Sequence, residues 1–123
     1  MRISALDERT LVAGQIAPAD MPAIAAAGVA LVVNNRPDGE EPGQPRAAEI
    51  ETAALEAGLG YRHIPVAGGL PRESVEALAA ALGEGGGKAL LFCRSGTRST
   101  FLWALARAAA AGYDLTPLRP WLV

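Results

Sequence analysis

Short apolar runs alternate along this chain with longer segments whose apolar residues recur every three or four positions. The short runs, which predict strands, are residues 10–13, 29–34, 60–66 and 88–92. The longer segments, which predict helices, begin near Pro18 and cover residues 46–57, 72–83 and 98–111. Glycine or proline residues stand at most of the junctions, where they end helices and form turns.

The regular alternation of strands and helices predicts an α/β fold. We expect a three-layer sandwich in which a mostly parallel sheet of four to five strands is flanked by helices on both faces. Residues 1–123 are too few for two cores and predict a single domain. The tail, residues 113–123, is expected to pack on the body of that domain.

Composition excludes several classes of function. The net charge is −2, so the sequence predicts no nucleic-acid partner and no membrane partner. The most apolar run, residues 104–111, contains Arg107 and is far shorter than a membrane span. One cysteine and one histidine cannot supply a zinc site, and we predict no metal and no cofactor. A lone free thiol favours a reducing, cytoplasmic location.

The lone cysteine, Cys93, lies where a buried strand ends and a short polar loop leads at once into a helix. Backbone N–H groups, a helix N-terminus and two arginines would all face its sulfur, and each favours thiolate over thiol. The alternative is an inert buried thiol, which is common for free cysteines. The surroundings favour a nucleophile instead. In parallel α/β sheets, ligands bind at the carboxyl ends of the strands, which is where Cys93 falls.

Roles follow for the residues around the sulfur. Cys93 is the predicted nucleophile, and Arg98 is predicted to clamp an oxyanion with its guanidinium fork. The remaining predicted anion-binding residues are Arg94, Ser95, Gly96, Thr97 and Ser99. Gly96 would supply a backbone angle closed to other residues, and Ser99 or Thr97 would donate a hydrogen bond to the thiolate. Arg94 could equally point to solvent.

The segment from Cys93 to Leu105 (CRSGTRSTFLWAL) resembles a known bacterial family. It is similar to the signature of the phosphatase-like domain that occurs alone or fused to β-lactamase-fold hydrolases, as are Asn34–Pro37 and residues 61–66 (YRHIPV). The resemblance covers nearly the whole chain. It implies the fold of the dual-specificity phosphatases, and members of this family are often labelled sulfurtransferases.

Two features of the sequence bear on whether the domain transfers a phosphoryl group or a sulfur atom. Tyrosine phosphatases place five residues between the cysteine and the arginine, whereas here four residues separate Cys93 from Arg98, as in the active loop of rhodanese-type sulfurtransferases. The loop at residues 67–71 (AGGLP), where the dual-specificity phosphatases carry their general acid, has no carboxylate. Asp38, Glu40 or Glu41 could substitute, although solvated loop charge is their ordinary interpretation.

The sequence therefore predicts an enzyme, most simply a sulfurtransferase. Cys93 would take sulfane sulfur from a small-molecule donor as a persulfide and pass it to a thiol acceptor. The alternatives are a phosphatase that acts on a phosphorylated substrate through phosphocysteine, and a domain without enzymatic activity that binds oxyanions or a partner. His63 is predicted to have a surface or packing role, and Trp103 a place in the core. Asn34 and Asn35 would end a strand on the ligand side.

Overall fold

The computed structural model describes residues 2–112 and contains five strands and four α-helices. The strands are β1 (Ile3–Ala5), β2 (Thr10–Ala13), β3 (Val29–Asn34), β4 (Gly60–His63) and β5 (Lys88–Phe92). The helices are α1 (Met21–Ala26), which follows a 3-10 turn at Pro18–Asp20, α2 (Ala47–Glu56), α3 (Arg72–Glu84) and α4 (Thr97–Ala110). The α/β prediction is confirmed, and the predicted packing of the tail lies outside the described residues.

The strands form one sheet in the order β1-β2-β5-β3-β4. The pairs among β2, β5, β3 and β4 are parallel, and β1 pairs with β2 in antiparallel fashion. Strand β1 was not predicted, because it is three residues long, largely exposed and without a buried apolar run. The predicted strand 60–66 was too long, since β4 ends at His63. Its hydrogen bonding nevertheless continues, as Val66 N–H donates to the carbonyl of Asn35.

The sheet is buried on both faces. Strand β5 shows this directly, because Leu90 and Phe92 face one apolar cluster while Ala89 and Leu91 face the other. The first cluster includes residues of α1 and α2, and the second those of α3 and α4. Trp103 packs against the second cluster, as the sequence predicts. The continuous apolar runs of β3 and β5 are therefore those expected of strands with helices on either side.

Three parallel strands bring their carboxyl ends together at one edge of the sheet. The segment after β5 contacts the segment after β2, since Gln15 N–H donates to the carbonyl of Arg94 at 3.1 Å. The last residue of β5 contacts the segment after β3, since Asn35 N–H donates to the carbonyl of Phe92 at 2.8 Å. The loop that begins at Cys93 is thus fixed on both sides by neighbouring strands.

Candidate active site around Cys93

Cys93 lies directly after β5 and its side chain is completely buried. The backbone N–H of Gly96 donates to the Cys93 sulfur with a nitrogen-to-sulfur distance of 3.0 Å. Gly96 adopts φ +93°, a left-handed conformation that suits glycine, and it caps the start of α4. The conformational role predicted for Gly96 therefore has a structural basis, because this turn aims its N–H at the sulfur.

The hydrogen bonds to the sulfur decide the pKa of the Cys93 thiol. Burial alone raises this pKa, because it penalises the charged form. The backbone N–H and the nearby side chain of Ser99, followed by the backbone N–H groups of Ser95 and Gly96, outweigh burial and hold the pKa below its ordinary value. The loop therefore stabilises negative charge on the sulfur, as a nucleophile requires.

Ser99 and Thr97, the two predicted hydroxyl partners of the thiolate, occupy different environments. Ser99 is buried, and its hydroxyl donates at 2.8 Å to the side-chain oxygen of Asn35. The side-chain N–H of Asn35 donates in turn to the carbonyl of Ile64. Thr97 lies at the exposed rim of the loop, where its hydroxyl accepts a hydrogen bond from Ser95. The structure places Ser99, and not Thr97, beside the sulfur.

Arg98 is held by a carboxylate that is 58 residues away in sequence. Its Nη1 and Nη2 donate to the two carboxylate oxygens of Glu40 at 2.7 and 2.8 Å, and Nη1 also donates to the carbonyl of Val66 at 2.8 Å. The hydrogen bonds to Glu40 raise the pKa of Arg98, and the neighbouring Cys93 sulfur raises it further. The guanidinium is therefore fixed by Glu40 and Val66, and its pKa responds to the charge of the Cys93 sulfur.

Arg36 is an interior cation that sequence analysis missed. Its side chain is 1% exposed, and its guanidinium donates to Glu40, Glu41 and Gln15, each at 2.9 Å. Burial lowers the pKa of Arg36, but the hydrogen bonds to the two carboxylates outweigh burial and leave this pKa above its ordinary value. An arginine two residues after a buried strand, with two glutamates four and five residues later, was the signal for this contact.

The structure places the three candidate acids in ion pairs or at the end of a helix. The Arg98 hydrogen bonds, followed by those of Arg36, lower the pKa of Glu40 to about 2. Arg36, and then Arg94, hold the pKa of Glu41 below its ordinary value. Asp38 accepts a hydrogen bond from the first N–H of α2 at 2.7 Å. Two of these side chains are thus ion-pair partners and the third stabilises a helix end.

The other candidate residues have mainly structural contacts. Arg94 is 69% exposed and lies 3.5 Å from Glu41, so its guanidinium is at the outer edge of the charged cluster. Asn34 is buried and bonded to the Tyr61 hydroxyl and the Arg36 N–H. His63 lies on the surface with its Nε2 2.9 Å from the carbonyl of Arg36. Within residues 2–112 no group of three metal-binding side chains converges.

Two cavities flank the loop. The larger, about 550 Å³, lies between the β1–β2 hairpin and the loop, and is lined by Ser95, Gly96 and Thr97. The smaller, about 280 Å³, lies beside Arg98 and Gly68. Phe101, which is 59% exposed, forms a wall of both. The loop is therefore bordered by a cavity on either side of the Phe101 side chain. No helix in the described part of the chain is long and apolar enough to cross a membrane.

The chain is similar to several known proteins in sequence and in fold. A β-lactamase hydrolase-like protein of Agrobacterium fabrum is 38% identical over 99% of this chain, which spans 32% of that protein's length. A candidate phosphatase of Neisseria meningitidis superposes with a TM-score of 0.74 at 33% identity, with 94% of this chain and 92% of that one covered. A second candidate phosphatase, from Shewanella putrefaciens, is 23% identical with a TM-score of 0.77 over 97% of this chain and 76% of that one. The family model for the phosphatase-like domain of β-lactamase hydrolase-like proteins matches residues 2–110, and the chain belongs to this family.

Proposed function

We propose that this domain is a sulfurtransferase in which Cys93 is the nucleophile. The Cys93 thiolate attacks the sulfane sulfur of a persulfide donor R–S–SH; the S–S bond breaks, R–S⁻ leaves and Cys93–S–SH remains. An acceptor thiolate then attacks the outer sulfur, takes it as a persulfide and restores the Cys93 thiolate. Both steps are thiol–disulfide exchanges that depend on a thiolate nucleophile and on the leaving group's pKa.

The observation that supports sulfur transfer is the ion pairing of the acids near the loop. An alkoxide leaves a phosphate ester readily only when an acid protonates it. Glu40 and Glu41 are both engaged by guanidinium groups that stabilise their ionised forms. A thiolate leaving group needs no such proton, so the site as built suits sulfur better than a phosphate ester.

A phosphatase is the second candidate. The relatives described as candidate phosphatases favour it, as do the backbone N–H groups that surround the sulfur. In this reaction Cys93 displaces the ester oxygen to form phosphocysteine, and water then releases inorganic phosphate. The leaving group would have to be acidic enough to depart without a proton donor, as an aryl oxide is.

Mass spectrometry distinguishes the two reactions. The protein is treated with a small persulfide or with thiosulfate, and we expect one added sulfur atom on the peptide that contains Cys93, followed by its loss on addition of a thiol. Cys93→Ser should carry no added sulfur. Unmodified Cys93 together with rapid turnover of an aryl phosphate would favour the phosphatase. Absence of both reactions, with a thiol that titrates near the ordinary ~8.5, would favour a binding domain without enzymatic activity.

A further inference from the structure

The Glu40 carboxylate occupies one edge of the arginine that faces the active-site sulfur. Guanidinium groups have five N–H donors, and the contacts of Arg98 with Glu40 and Val66 use three of them. Among the contacts of the described residues, Nε–H and one Nη2–H are left, and these lie together on the other edge. Arg98 therefore still has two parallel donors for an anion, but it offers them as half of an ion pair.

Glu40 also changes the charge of the whole site. The cluster contains three guanidiniums, Arg36, Arg94 and Arg98, and two carboxylates, Glu40 and Glu41. Its net charge is +1 with a Cys93 thiol and zero with a thiolate. Electrostatic attraction of an anion rises with the product of the charges, so a site this close to neutral gives little advantage to an anion that carries two charges.

We propose that Glu40 is a specificity-determining residue whose fixed charge, held against Arg98, makes the Cys93 loop disfavour doubly charged oxyanions relative to singly charged groups. Phosphate-ester dianions and thiosulfate are thereby disfavoured, and a persulfide, which carries at most one charge at its reacting end, is preferred as the donor. This choice of donor rests on the proposed sulfur transfer. The discrimination by charge does not depend on any turnover.

The test uses two ions that differ mainly in charge. Sulfate carries two charges, and methyl sulfate carries one on the same tetrahedral group. Each is titrated at constant ionic strength while the backbone amide of Gly96, which contacts the sulfur, is followed by NMR. In the unaltered protein we expect sulfate to bind no more tightly than methyl sulfate. Sulfate affinity tenfold or more above that of methyl sulfate would overturn the proposal, and this measurement needs no variant.

Glu40→Gln removes the charge and keeps an oxygen that can accept from Arg98. Because Coulomb energy scales with charge, we expect methyl sulfate to bind about threefold more tightly and sulfate about tenfold more tightly. Glu40→Asp, which keeps the charge, should retain the original ratio. The control Glu49→Gln removes an exposed partner of Arg46 on α2 and should change neither affinity. Equal tightening of both ions by Glu40→Gln, or none, would contradict the charge argument.

Kinetics then test the donor. If sulfur transfer occurs, Glu40→Gln should lower KM for thiosulfate more than it lowers KM for a small persulfide with a single charge, with kcat altered less than KM. Equal changes in KM for both donors would overturn the choice of donor. If neither donor reacts while the two ions behave as expected at Gly96, the proposed sulfur transfer is wrong and the charge discrimination stands.

Discussion

Replacement of Gly96 by Ala tests whether the backbone of the loop holds Cys93 as a thiolate. Gly96 adopts φ +93°, and a Cβ there would lie 3.4 Å from the carbonyl oxygen of Ala13, so the neighbouring strand leaves room for a methyl group. The penalty is therefore mainly conformational, about 1–2 kcal/mol for an L-residue in the left-handed region. Gly96→Ala should lower the free energy of unfolding by this amount.

The same substitution should reduce the charge on the sulfur. Relaxation of φ toward negative values turns the Gly96 N–H away from the Cys93 sulfur, which it now contacts at 3.0 Å. A hydrogen bond to a charged group contributes about 1.5–3 kcal/mol. Its loss corresponds to a fall of roughly tenfold or more in the ratio of thiolate to thiol at a given pH. The pKa of Cys93 therefore rises in the variant.

Thiolate absorbance measures this directly, because the chain has a single cysteine. Gly58→Ala is the matched control: Gly58 has φ +82° at the end of α2, and a Cβ there would meet nothing within 4 Å. Both variants should unfold at lower urea concentration, and only Gly96→Ala should titrate at higher pH. If Gly96→Ala is destabilised like the control but titrates like the unaltered protein, the Gly96 N–H does not hold the thiolate.

Three further substitutions test other parts of the site. Because its pKa is lowered from 4.5 to about 2, Glu40 should contribute stability that is present above about pH 4.5 and lost as the pH falls toward 2. After a discount for solvent screening, this contribution to the free energy of unfolding is on the order of 1 kcal/mol. In acid unfolding, the stability of Glu40→Gln should therefore not show this loss as the pH falls. In Gly14→Ala the new Cβ would lie 3.0 Å from the carbonyl of Arg94, so urea unfolding should show a loss of about 1–3 kcal/mol. The unobstructed helical control Gly83→Ala should instead gain about 0.5–1 kcal/mol. Asn35→Leu leaves the Ile64 carbonyl and the Ser99 hydroxyl without their buried partner and should cost about 2–4 kcal/mol in the same assay.

Local sequence patterns predicted the parallel part of the fold because its strands and helices carry strong periodic signals. The bounds of β2, β3 and β5 agree with the prediction residue for residue, since each is a short apolar run between clear breaks. Strand β1 could not be found in this way, because it pairs on one side only and buries little. Its existence depends on the hairpin with β2 and not on its own composition.

The loop around Cys93 was predictable for a related reason. Its donors are consecutive in sequence, so the strand end, Gly96 and the start of α4 together indicate where the N–H groups point. Contacts between residues that are far apart in the sequence were not predictable. Gly14 lies close to the carbonyl of Arg94, which follows the neighbouring strand, and the sequence near either residue does not indicate this contact.

The segment after β3 makes contacts that the sequence did not predict. Taken alone, residues 35–45 read as a polar loop whose glutamates are solvated. The burial of Arg36 changes this interpretation, because an interior guanidinium requires anionic partners, and Glu40 and Glu41 supply them. The same contacts bring Glu40 against Arg98, so the partners of a buried arginine also determine the charge beside the reactive sulfur. The count of residues between Cys93 and Arg98 gives the length of the loop, whereas the charge beside the sulfur depends on a partner 58 residues away in sequence.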